Sequence, residues 1–133
     1  PDMALFKFVK NIKSSIPIDV YNNGNLKRDF TYIDDVINIL FKISNSKLKN
    51  KYLLNIYNIA ASNPKKLTYF IKVIEKVIGK KARINFKPMQ KGDVFRTYGD
   101  NNKLKKDFKY YKFITIEKGV KHFIDWYNKY YSK

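Results

Sequence analysis

The sequence predicts a mixed α/β domain, and three observations lead there. Apolar residues recur at helical spacing in several stretches, of which Leu67–Ile78 is the clearest. Short β-prone runs lie between them, at Ile18–Tyr21, Tyr52–Ile59 and Arg83–Phe86. Clusters of Asn, Gly, Ser and Pro separate the two kinds of segment. With 133 residues, 44% apolar and 17% aromatic, residues 1–133 read as one domain with enough material for a core.

Taken in order, residues 3–14 place Met3, Leu5, Phe6, Phe8, Val9 and Ile12 on a wide apolar stripe with lysines between, an amphipathic helix. Ser14-Ser15-Ile16-Pro17 ends it, because the residue before proline avoids the helical region. Ile18, Val20 and Tyr21 suit a strand, Asn22-Asn23-Gly24-Asn25 a tight turn, and Phe30 and Tyr32 a returning strand, together a hairpin. Asp34 and Asp35 open a helix at about 34–45, where carboxylates complement the helix dipole. Ser44–Lys51 is a polar loop, and Tyr52–Ile59 a short apolar run suited to a buried strand. Ala60–Pro64 turns the chain into the helix Leu67–Ile78, with Leu67, Phe70, Ile71, Ile74, Val77 and Ile78 inward and Gly79 as its stop. A short strand at Arg83–Phe86, a loop at Pro88–Asp100, a short helix at Asn101–Phe108 and an aromatic-rich helix at Glu117–Tyr131 complete the chain.

The formal net charge is +17, which raises encounter rates with any anionic ligand and admits a nucleic-acid reading. That reading is the weaker one. Only Arg28, Arg83 and Arg96 are arginines among 28 basic residues, and the lysines are spread along the chain except at Lys103, Lys105 and Lys106. No aromatic RNA-stacking motif accompanies them. No run approaches eighteen consecutive apolar residues, so no membrane span is expected. The absence of cysteine excludes disulfides and thiolate metal sites and fits a cytoplasmic protein. His122, the one histidine, sits mid-helix beside Phe123 and Trp126 and reads as structural; with no other ligand cluster, no metal is expected.

Four segments carry a specific likeness. PDMALFKF at the start, RDFTYIDD at 28–35, YNIAASNP at 57–64 and PMQKGDVFRTYGD at 88–100 resemble, in order and spacing, motifs of the extended short-chain dehydrogenase/reductase family. These are the NAD-dependent nucleotide-sugar epimerases and dehydratases. The corresponding family segments read GRPDMA, RDFTYIDD, YNIGNSSP and PMQPGDV…TYAD, most like the UDP-glucuronate 4-epimerases. The resemblance covers essentially the whole chain but only the C-terminal, substrate-binding part of such an enzyme, with the N-terminal cofactor domain missing. Pro1 in place of methionine agrees with a piece of a longer protein. Ala60 departs from the glycine of YNIG, which re-angles that turn, and Lys91 from the proline of QPGD, which loosens that loop.

The chemistry of such enzymes needs a glycine-rich strand-to-helix turn for the dinucleotide and a tyrosine with a lysine four residues on. The five glycines form no Gly-x-Gly, and none of the eleven tyrosines has lysine at that offset. No catalytic or NAD-binding residue is therefore assigned, and this chain alone is expected to be inactive. NAD would be bound by the missing domain.

What the resemblance implies instead is half of a UDP-sugar site. Arg28 aligns with an arginine that binds the substrate diphosphate, a natural use of a planar cationic fork; the plain alternative is a surface arginine paired with Asp29 or Glu117. Asp19 and Tyr21 align with the strand against which the uracil lies, the alternative being ordinary strand pairing. Gln90 and Asp93 match positions that contact phosphate and ribose, the alternative being a polar turn. Arg96 is a candidate second phosphate contact. Met3, with Ala4, follows the loop that covers the sugar. Asp34 and Asp35 read as helix-cap charges rather than catalytic acids.

The leading expectation is the UDP-sugar-binding portion of a 4-epimerase of surface polysaccharide synthesis. The alternatives are a nucleotide-sugar 4,6-dehydratase or decarboxylase of the same family, and a non-catalytic basic binding module. Helix 34–45 and strand 52–59 would pack on the missing sheet, so this chain alone is expected to expose apolar surface and to self-associate or rearrange that edge. Relatives dimerise through helices of the missing half.

Overall fold

The computed structural model describes residues 3–46, 54–110 and 112–131. Among the described residues, five α-helices and four short strands follow in the order α1 (Ala4–Lys13), β1 (Ile18–Tyr21), β2 (Lys27–Arg28), α2 (Ile33–Ser44), β3 (Lys65–Lys66), α3 (Leu67–Ile78), β4 (Ile84–Lys87), α4 (Asn102–Phe108) and α5 (Ile116–Tyr131). The α/β class, all five expected helices and two of the four expected strands, β1 and β4, agree with the pattern of the sequence. Among the described residues no helix is long and apolar enough to cross a membrane.

The main core lies where α1, α3 and α5 meet β1. Phe8, Val9 and Ile12 from α1 pack with Phe70, Ile71, Val73 and Ile74 from α3, with Val120, Ile124 and Tyr127 from α5, and with Ile18 and Val20. The 3.6-residue period of each helix puts these side chains on one face. Gly79 closes α3 in the left-handed conformation at φ 77°, its N–H donating to the Glu75 carbonyl at 2.8 Å. A second, smaller cluster joins Ile39 of α2 to Leu104 and Phe108 of α4.

The hairpin is not formed. β1 pairs in parallel with β4, Ile18 opposite Ile84 and Val20 opposite Phe86, while β2 pairs antiparallel with β3. The Asn-Gly segment is a 3-10 turn with Asn22, Asn23 and Gly24 all at positive φ. Three such residues in a row swing the chain sideways instead of folding it back as a two-residue hairpin turn does. Phe30 then leaves the strand path to stack on Phe70 at 4.4 Å, and Tyr32 packs edge-on against His122 at 5.5 Å.

The expected strand at Tyr52–Ile59 differs too. Residues 52 and 53 lie outside the described residues, and 54–59 carry no strand. Leu54 and Ile56 are 77% and 71% exposed, since no neighbouring strand among the described residues receives this run. Asp35 is a further correction. It is in the first turn of α2 but buried, and its carboxylate accepts from the Tyr110 hydroxyl at 2.7 Å and the Ile114 N–H at 2.8 Å. It ties α2 to the segment before α5 rather than serving as a solvated cap charge.

Candidate functional site

An open cleft of about 530 Å³ runs between one face of α1, the exposed side of β1, and the turn at residues 90–93. β1 alternates, so with Ile18 and Val20 held in the core, Asp19 and Tyr21 point the other way. Asp19 lies opposite Asn85 on β4, whose amide donates to its carboxylate at 2.8 Å. Tyr21, Arg28, Gln90 and Asp93 line the same cleft. Five of the seven sequence-predicted site residues, separated by up to seventy-odd positions, thus share one wall.

Arg28 is held where β2 runs alongside the 93–97 segment. Lys27 N–H donates to the Phe95 carbonyl at 2.9 Å and Thr97 N–H to the Lys27 carbonyl at 3.1 Å, so the two segments run together at this point. The guanidinium then donates to the Val94 and Lys27 carbonyls at 2.8 and 2.9 Å and to Asp93 Oδ1 at 2.5 Å. Neither of the alternative partners, Asp29 or Glu117, is used. Asp29 accepts from the backbone N–H groups of Ser62, Asn63 and Gly99 at 3.1 Å each. Glu117 accepts from the Tyr69 hydroxyl, which holds its carboxyl below the usual range.

Two predicted residues stand outside the cleft lining. Arg96 bridges Lys27 through its backbone, and its guanidinium lies 5.2 Å from the ring centre of Tyr98. Met3 is 77% exposed and only its neighbour Ala4 reaches the wall. The residues that sequence reasoning missed are Lys7 and Asn11 of α1. Their signal was available: Ala4, Lys7, Phe8 and Asn11 follow the i, i+3, i+4, i+7 spacing of one helical face. Lys7 and Arg28 set two cations against Asp19 and Asp93 around the opening. That arrangement suits a ligand bearing both anionic and hydroxyl groups. No cluster of three or more His, Cys, Asp or Glu side chains converges among the described residues.

A model of the GDP-mannose 4,6 dehydratase family matches residues 2–123. The chain belongs to this family of extended short-chain dehydrogenases/reductases. It corresponds to the C-terminal part of its epimerases and dehydratases. An uncharacterized protein of Methanocaldococcus jannaschii is 48% identical over 96% of this chain and 38% of its own length. A probable UDP-glucuronate 4-epimerase of Rhizobium meliloti is 34% identical over the whole of this chain and 43% of its own length. Among solved structures, the UDP-glucuronic acid 4-epimerase of Bacillus cereus, in complex with UDP-glucuronic acid and NAD, superimposes with a TM-score of 0.88 at 27% identity. That match covers 98% of this chain and 41% of the epimerase. The chain thus spans about two fifths of the length of the relatives it matches.

Proposed function

We infer that the cleft binds the nucleotide diphosphate of a UDP-sugar, and that the chain is the substrate-binding portion of an NAD-dependent sugar 4-epimerase acting on UDP-glucuronate. The observation that carries this reading is the convergence of Asp19, Tyr21, Arg28, Gln90 and Asp93 on one cleft. It is supported by a probable UDP-glucuronate 4-epimerase among the relatives and by a neighbour of known structure that holds UDP-glucuronic acid and NAD. In this reading Arg28 takes the diphosphate, Asp93 the ribose hydroxyls, and Asp19 and Tyr21 the base. Lys7 adds positive charge along the α1 wall.

The dinucleotide does not fit what this chain offers. No Gly-x-Gly turn and no tyrosine–lysine pair at the required offset occur in the 133 residues, so no hydride or proton step is assigned to them. NAD and the chemistry at the sugar would belong to the remainder of a full-length protein, and this chain alone would be inactive. Surface polysaccharide synthesis in the cytoplasm is the role such an epimerase would serve. A 4,6-dehydratase is the second reading, favoured by the description of the family model that matches.

Titration calorimetry of UDP and UDP-glucuronate into the chain tests the binding claim. Arg28→Glu is expected to weaken UDP by about 10- to 150-fold or more, the equivalent of a charge-assisted contact of about 1.5–3 kcal/mol. A binding module for nucleic acid would instead lose little at Arg28→Glu and show a steep salt dependence. UDP affinity equal in wild type and Arg28→Glu would refute the assignment.

A further inference from the structure

The two best-placed charges of the cleft are bound to each other. Arg28 Nη2 meets Asp93 Oδ1 at 2.5 Å, with the two side chains 24% and 27% exposed. Nη1 is occupied by the Val94 and Lys27 carbonyls. Asp93 Oδ1 also accepts the Val94 N–H at 2.8 Å, whereas Oδ2 accepts no hydrogen bond from the described residues. The carboxylate stands on a turn closed by one backbone bond, Asp93 N–H to the Gln90 carbonyl at 3.2 Å. The turn contains Gly92 at φ 82°, with open space around it.

This arrangement bears on a problem set by the whole chain. A net charge of +17 draws in every anion, and long-range attraction does not distinguish among them. Discrimination has to come from contact. A bare phosphate approaching Arg28 must displace a carboxylate already in good geometry. It then leaves that carboxylate partly buried, unpaired and close to a new negative charge, a costly outcome. A ligand that carries a vicinal diol as well supplies two O–H donors to the displaced carboxylate.

Resting on the nucleotide reading of the cleft, we propose that Asp93 is a specificity-determining residue that guards Arg28. It yields the guanidinium only to a ligand pairing with both at once, a ribonucleoside diphosphate rather than a free polyanion. Asp93 thereby has two roles in sequence, competitor for Arg28 in the empty cleft and acceptor of the ribose hydroxyls in the filled one. Specificity of this kind depends as much on the penalty imposed on the wrong ligand as on contacts to the right one.

Calorimetry with three probes, inorganic pyrophosphate, UDP and 2′,3′-dideoxy-UDP, tests this on the wild-type chain and on Asp93→Asn. Asparagine keeps the Oδ1 acceptor for Arg28 and Val94 and removes the charge. Wild type is expected to prefer UDP over both other probes by about tenfold or more, the loss expected when a charged acceptor is left unpaired. Asp93→Asn is expected to bind pyrophosphate several-fold more tightly than wild type and to lose most of its preference for UDP over the dideoxy compound. Unchanged pyrophosphate affinity in Asp93→Asn, or a parallel weakening of all three probes, overturns the proposal while leaving UDP binding in place. So does equal affinity of the wild type for UDP and 2′,3′-dideoxy-UDP, which needs no variant. A wild type that binds no UDP overturns the nucleotide reading and this inference together.

Discussion

Gly99 and Ala60 occupy each other's space. A Cβ on Gly99 would lie 2.4 Å from the Cβ of Ala60, well inside contact distance. The family segments have glycine where this chain has Ala60 and alanine where it has Gly99, so the methyl group sits on the opposite side of the same contact. The departure in YNIA is answered at TYGD. Gly99→Ala is expected to destabilise by about 1–3 kcal/mol through overpacking, and Ala60→Gly with Gly99→Ala to recover most of it. Urea unfolding of the two single variants and the double variant measures that coupling. A second residue-scale effect concerns Tyr110, whose phenol is pushed up to about 12 by burial and then by its bond to Asp35. The folded value lies above the unfolded one near 10. The stability linked to this raised value is therefore complete below about pH 10 and lost as pH rises towards 12. Tyr110→Phe is expected to unfold with a flatter pH dependence in that window, followed by thermal melts from pH 8 to 12.

At the scale of elements, α2 shows how one helix serves two neighbours. Ile39 is buried against Leu104 and Phe108, with Tyr57 and Ile59 beside them. On the other side Ile33, Ile37, Leu40 and Phe41 are 49–72% exposed. Leu54 and Ile56 are exposed as well, and in the full-length protein proposed above an additional domain would cover apolar side chains of this kind. Ile39→Ala is expected to cost about 2–5 kcal/mol. Ile37→Glu with Phe41→Glu is expected to leave stability within about 0.5 kcal/mol and to lower both dye binding and concentration-dependent association. Sedimentation velocity across a concentration series reads the second effect; association unaffected by the pair would remove this face from consideration. β1 makes the complementary point. It has the alternation of a hairpin strand, yet its partner is β4, sixty-six residues on, which pairs in parallel after a crossover that contains α3.

For the molecule as a whole, the helical core and the cleft meet at α1 and β1, where Phe8 and Ile18 belong to both. The core is largely made by α1, α3 and α5. The cleft is assembled from the outward side of β1, the cleft-facing side of α1, and the 90–93 turn, which β2 and the 93–97 segment hold in place. Substitutions on the cleft wall such as Arg28→Glu therefore change binding with little change in the core. In the proposed reading the surrounding positive charge accelerates arrival of anions, and the Arg28–Asp93 pair decides among them.

The sequence by itself determined the α/β class, the five helices and the stop at Gly79, because helical periodicity and left-handed glycine are local properties. It also picked out Asp19, Tyr21, Arg28, Gln90 and Asp93 through their surrounding segments. Only the tertiary structure decided that Arg28 pairs with Asp93 rather than Asp29, that Asp35 is buried, and that β1 joins β4. It likewise placed Arg96 on Tyr98. Each of these turns on which distant segment comes alongside, and the free energy that settles it is the shared burial of apolar faces far apart in the chain.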